Sequence, residues 1–123
     1  MPDSRVILFV FNLDSGVLQS LRDYSTGKAA ASAADACPLS RITHSPLGIK
    51  KEWKRFIKEL DIPSRSLDRD EFMREFGAGR VTYPVVLIRR GTELGVLVST
   101  EELQASRELS DLILLVRERL RNL

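Results

Sequence analysis

Six consecutive apolar residues, Val6-Ile7-Leu8-Phe9-Val10-Phe11, constrain this chain more than any other feature. A strand that faced water on one side would alternate polar and apolar residues, and this run does not alternate. It reads as a strand covered on both faces, the habit of a central strand in an α/β sheet. Val85-Val86-Leu87-Ile88 repeats the pattern near the other end of the chain. With Leu94–Val98 it flanks Arg89-Arg90-Gly91-Thr92-Glu93, which reads as an antiparallel hairpin. At 123 residues there is room for one such sheet and its covering helices, hence a single domain over 1–123.

The covering helices are marked by periodicity and caps. Val17, Leu18, Leu21 and Tyr24 recur at helical spacing and stop near Gly27. From Gly48 onward, Ile49, Trp53, Phe56, Ile57 and Leu60 share one stripe, with Lys50, Lys51, Lys54, Arg55 and Lys58 around it. That helix stops before Pro63, and Ser64–Leu67 reads as a brief strand. Asp68-Arg69-Asp70-Glu71 has the capping-box pattern, with Phe72, Met73 and Phe76 expected to face inward and Gly77 to terminate the helix. Ser99-Thr100-Glu101-Glu102 repeats the box and opens one long helix carrying Leu103, Leu109, Leu112, Ile113, Val116 and Leu120. Residues 28–36, rich in alanine, fit strand, helix or loop alike, because they offer no large residue to bury. The order of elements gives a mixed sheet of four to five strands with helices on both faces, a three-layer α/β arrangement.

Composition narrows the functions. Nineteen Lys and Arg against seventeen Asp and Glu leave a formal charge of +2, too balanced to imply nucleic-acid binding. One cysteine excludes an intrachain disulfide, dithiol chemistry within the chain and a multi-cysteine zinc site, so neither a metal nor a cofactor is expected. The longest apolar run is too short for a membrane span or a signal sequence, which predicts a soluble cytoplasmic protein. Thr26-Gly27-Lys28 hints at a phosphate loop, but Arg22 stands where its first glycine belongs and Ala29 where its hydroxyl belongs. Nucleotide hydrolysis is rejected on that ground.

Tyr83-Pro84 immediately precedes a buried strand, where proline costs no ladder hydrogen bond and a cis peptide bond is a fair expectation. Together with Cys37-Pro38-Leu39-Ser40, this resembles the thioredoxin-like superfamily, whose core is a βαβ unit followed by a ββα unit. In that family a cis-proline opens the hairpin strand opposite a cysteine at a helix N-terminus. The chain is also similar to a little-characterised family of small bacterial proteins that carry a pattern like Asn12-x-Asp14-Ser15-Gly16, a later C-x-L-C, then a threonine and a Trp-bearing helix. Thr43 and Trp53 fit; Ser40 stands where the second cysteine would be. The resemblance implies a thioredoxin-like fold over nearly the whole chain, with Cys37 as reactive thiol and Ser40 as its hydrogen-bond partner. It makes Tyr83 and Pro84 the substrate-side wall and implies a protein or thiol partner.

Each of these residues also has a plainer reading. Cys37-Pro38 reads as an N-cap and first helical residue, where unsatisfied N–H groups lower a thiol pKa. A lone cysteine is equally a small buried hydrophobe, and Leu39, Ile42 and His44 also fit a strand. His44 lies seven residues from Cys37, two helical turns away, too far for a Cys–His pair. Asn12, Asp14, Ser15 and Gly16 read as a turn and helix cap rather than a ligand loop, and Ser15 lacks the surroundings of a hydrolase nucleophile. The basic residues of 50–58 read as a solvated face or as a surface for an acidic partner. Two functions therefore stand: thiol redox or transfer through Cys37, or a non-catalytic module that binds a protein through the groove by Pro84 or the basic helix.

Overall fold

The structure, a computed structural model, describes residues 5–13, 37–45, 48–77 and 81–122. The expected helix over 17–27, the alanine-rich segment 28–36, Asp14-Ser15-Gly16 and Thr26-Gly27-Lys28 lie outside the described residues. Within them the chain runs β1 (Arg5–Val10), α1 (Pro38–Thr43), β2 (His44–Ser45), β3 (Gly48–Ile49), α2 (Lys51–Glu59), β4 (Ser64–Leu67) and α3 (Arg69–Phe76). It continues through β5 (Val85–Arg90), β6 (Glu93–Val98), α4 (Thr100–Ala105) and α5 (Leu109–Arg121).

Four strands form one open mixed sheet in the order β4-β1-β5-β6. β1 pairs parallel with β4 and antiparallel with β5, so the apolar run of the sequence becomes an interior strand. Its side chains divide by parity, as a pleated strand requires. Ile7, Phe9 and Phe11 enter one core with Trp53 and Phe56 of α2, Leu103 of α4, and Leu109, Leu112 and Val116 of α5. Leu8 and Val10 enter a second core with Leu67, Val85, Leu87 and Phe72 of α3. Helices therefore cover both faces. On the first face Phe9 lies edge-on to Trp53, ring centroids 4.9 Å apart at 77°, a geometry favoured by the ring quadrupoles.

Local chemistry sets the ends of α3. Asp68 Oδ1 accepts from the Glu71 N–H at 2.8 Å while Glu71 Oε1 accepts from the Asp68 N–H at 3.1 Å, and Gly77 closes the helix at φ 59°. Gly77 is needed there because a side chain disfavours that left-handed conformation. Met73 departs from expectation: it is exposed. Phe72 and Phe76, four apart, share the inner stripe, and Met73 is rotated off it.

Two other boundaries differ from the sequence reading. α2 begins at Lys51, and Gly48–Ile49 instead forms a two-residue ladder with His44–Ser45. The Lys50 N–H continues that connection by donating to the Thr43 carbonyl at 3.0 Å. The expected single C-terminal helix is two. The Ser106 N–H donates to the carbonyls of Glu102 and Leu103, and its hydroxyl donates to the Glu102 carbonyl at 2.9 Å, ending α4. Asp111 Oδ2 then accepts from the N–H groups of Arg107 and Glu108, starting α5. The break lets Leu103 and Leu109, six apart and out of phase on one helix, both be buried.

Glu102 ties the two helices together. It accepts from the Ser99 N–H at 3.1 Å and forms an ion pair with the Arg119 guanidinium. The Arg119 hydrogen bond first, and the Ser99 N–H second, hold its carboxyl below the usual glutamate range. A depressed folded-state pKa contributes stability above the unfolded-state value, lost as pH falls through the folded value. Glu102→Gln is therefore expected to lower the thermal midpoint at neutral pH. The gap to the wild type should close on acidification through the lowered Glu102 range, as checked by melts across pH.

Candidate functional site

The end of the sheet where β1 finishes and β5 begins gathers the residues that the sequence singles out. Val10 pairs with Val85, so Phe11 and Pro84 are the next residues outward on their two chains. The Tyr83–Pro84 peptide bond is cis, and Pro84 is buried. The Pro84 carbonyl accepts from Thr100 Oγ1 at 2.8 Å, and the Thr82 and Thr100 hydroxyls are hydrogen-bonded to each other. The first turn of α4 thus holds the entry to β5.

Cys37 is brought to the same sheet end. Its carbonyl accepts from the Arg41 N–H at 2.8 Å, the first bond of α1, which makes it the N-cap residue. Pro38 follows as first helical residue, so this segment is a helix and the strand reading of Leu39–His44 is overturned through Thr43. Leu39 and Ile42 bury inward, and Thr43 Oγ1 donates to the Leu39 carbonyl at 2.8 Å. Cys37 is 1% exposed and lies within the core on the Phe9 face. There Sγ accepts from the backbone N–H of Asn12, two residues beyond the end of β1, at 3.3 Å.

The loop that supplies this N–H is itself held. Arg69 Nη1 donates to Asn12 Oδ1 at 3.1 Å, while Arg69 Nε and the Arg69 backbone N–H both donate to the Leu13 carbonyl, at 3.4 and 3.3 Å. Sequence reading overlooked Arg69. Its signal lay in the Asp68–Glu71 capping box: because β4 runs parallel to β1, the helix that follows β4 starts beside the end of β1.

The remaining expected site residues are placed less closely. Ser40 lies in α1, three residues after Cys37, but its side chain is outside what the structure describes, as is that of His44 in β2. Tyr83 sits at the right end of the sheet, yet its ring packs edge-on to Phe72, 6.3 Å away at 78°, in the core of the opposite face from Cys37. Burial pushes its phenol pKa up. Beside Pro84, toward β6, a shallow cleft of about 220 Å³ is lined by Val81, Thr82, Val85, Val96 and Thr100 among others.

Trp53 forms part of the core, not a surface platform, and among the described residues no helix is long and apolar enough to cross a membrane. Among the described residues no group of three or more His, Cys, Asp or Glu is placed to hold a metal ion. Set against known proteins, the chain matches no family model, no curated protein and no solved structure.

Proposed function

We propose that this chain is a single-cysteine thioredoxin-like protein of the cytoplasm, acting in thiol–disulfide exchange or thiol-dependent transfer through Cys37. The fold assignment is supported by the strand order β4-β1-β5-β6, with one parallel and two antiparallel pairings, and by a proline at the entry to β5. The thiol reading is carried by one observation: the Asn12 N–H aimed at Cys37 Sγ, at the sheet end that also holds Pro84. A donor directed at sulfur stabilises thiolate over thiol.

The chemistry with one cysteine is an exchange. The Cys37 thiolate attacks one sulfur of a partner disulfide, the S–S bond breaks, and its electron pair leaves on the partner's other sulfur. With no second thiol in the chain, an external thiolate attacks the partner sulfur of the mixed disulfide. A new disulfide forms between the external thiol and the partner, and Cys37 returns as thiolate. The thioredoxin-like resemblance assigns Ser40 the role of hydrogen-bond partner to the sulfur and Pro84 that of partner-side wall. With Cys37 1% exposed, each exchange requires a local opening around it.

That burial is also the observation that favours a second reading, a non-catalytic thioredoxin-like module that holds a protein partner against the cleft beside Pro84. Incubation of the native chain with glutathione disulfide, followed by intact mass, separates the two. Thiol exchange predicts a glutathione adduct on Cys37 under native conditions. An adduct that forms only in denaturant leaves the binding module.

A further inference from the structure

We propose that the outer face of α2 is a docking surface for an acidic protein segment; this inference is independent of Cys37. Lys51, Lys54, Arg55 and Lys58 recur at the i, i+3, i+4 and i+7 positions of one helical face. All four are exposed and together border one shallow depression of about 300 Å³. Among the described residues none of the four is in an ion pair, whereas Arg65, Arg117 and Arg119 pair with Glu75, Glu59 and Glu102.

Nothing in the fold requires this arrangement. The packing of α2 is supplied by Trp53 and Phe56 on its other side. Like charges three and four apart repel, and Lys51 sits at the positive end of the helix, whose N-cap residue Lys50 makes no side-chain cap. Lys58, in the last turn, suits the helix dipole, but the crowding of Lys51, Lys54 and Arg55 weakens the start of the helix that carries them, and a local rule broken without structural gain is a mark of function. A negatively charged partner relieves the repulsion among all four at once.

The form of the partner follows from what surrounds the cations. The apolar side of α2 is buried in the core, so no apolar stripe remains to enter a lipid interface. Exposed Glu52 and Glu59 border the row, which disfavours a uniformly charged duplex backbone with one phosphate per about 1.7 Å of axis. Discrete carboxylates of a protein segment can be set against the cations and away from these acids.

The test is a titration of the native chain followed by backbone amide NMR, with poly-L-glutamate as probe, at low and at physiological ionic strength. Duplex DNA and vesicles containing phosphatidylglycerol form the comparison arms. Saturable shifts confined to residues 50–59, weakening with salt, are expected. Lys54→Glu/Arg55→Glu should bind on the order of tenfold or more weakly, and the neutral pair Lys51→Gln/Lys58→Gln should weaken in the same direction. Arg90→Glu, on β5, should bind as the wild type does. Absence of saturable binding, α2 variants that bind unchanged, equal weakening by Arg90→Glu, or tighter binding of DNA or vesicles would each overturn the proposal.

Discussion

Phe9→Ala is expected to lower the free energy of unfolding by about 3–5 kcal/mol, the range for truncating a buried aromatic. Phe9 is fully buried on β1, with β4 on one side and β5 on the other, and its ring meets Trp53 edge-on. Truncation removes the transfer free energy of the ring, leaves a cavity between sheet and α2, and deletes the aromatic pair. Neighbours cannot close over the gap without pulling apart three paired strands. Since a domain of this size is stable by roughly 5–15 kcal/mol, one substitution removes a large share. Met73→Ala, at a position 46% exposed on α3, should change stability by no more than about 0.5 kcal/mol. Denaturant unfolding of both variants checks the contrast, and a loss below about 1 kcal/mol for Phe9→Ala would mean that this face is not packed as described.

Thr100→Val should cost about 1–3 kcal/mol, the range for leaving a buried polar group without its partner. Shape and volume are kept, so packing is not the variable. The Thr100 hydroxyl, on a residue 7% exposed, donates to the Pro84 carbonyl and is bonded to Thr82; valine strands the buried Pro84 carbonyl, while the exposed Thr82 hydroxyl turns to water. Thr100→Ser retains the hydroxyl and should recover most of the loss. If valine and serine behaved alike in denaturant titrations, the hydrogen bond from α4 to the entry of β5 would have no energetic role.

What could be read from the chain was what neighbouring residues decide. β1 announces itself through six apolar side chains, one residue out of step with the strand's Arg5–Val10 bounds, and the capping boxes at Asp68 and Ser99 are complete within four residues, so α3 and α4 start where expected. The β5–β6 hairpin was likewise visible, although not its bulge, in which one extra residue lets Leu97 and Val98 both be buried. The break at Ser106 was missed because 103–120 keeps enough leucine to suggest one helix, while the cue, the Asp111 carboxylate three residues after Glu108, is weaker than a serine cap. The site was half legible. Cys37-Pro38 marks a helix start by itself, but the Asn12 N–H on its sulfur joins residues 25 apart, and Arg69 reaches Asn12 across 57. Contacts of that range depend on β4 lying beside β1, which no single stretch of sequence contains.

The most direct test of the thiol assignment is the rate at which native Cys37 exchanges with glutathione disulfide as a function of denaturant concentration. Adduct formation without denaturant, at a rate faster than global unfolding, is expected. A rate that tracks global unfolding would contradict the assignment.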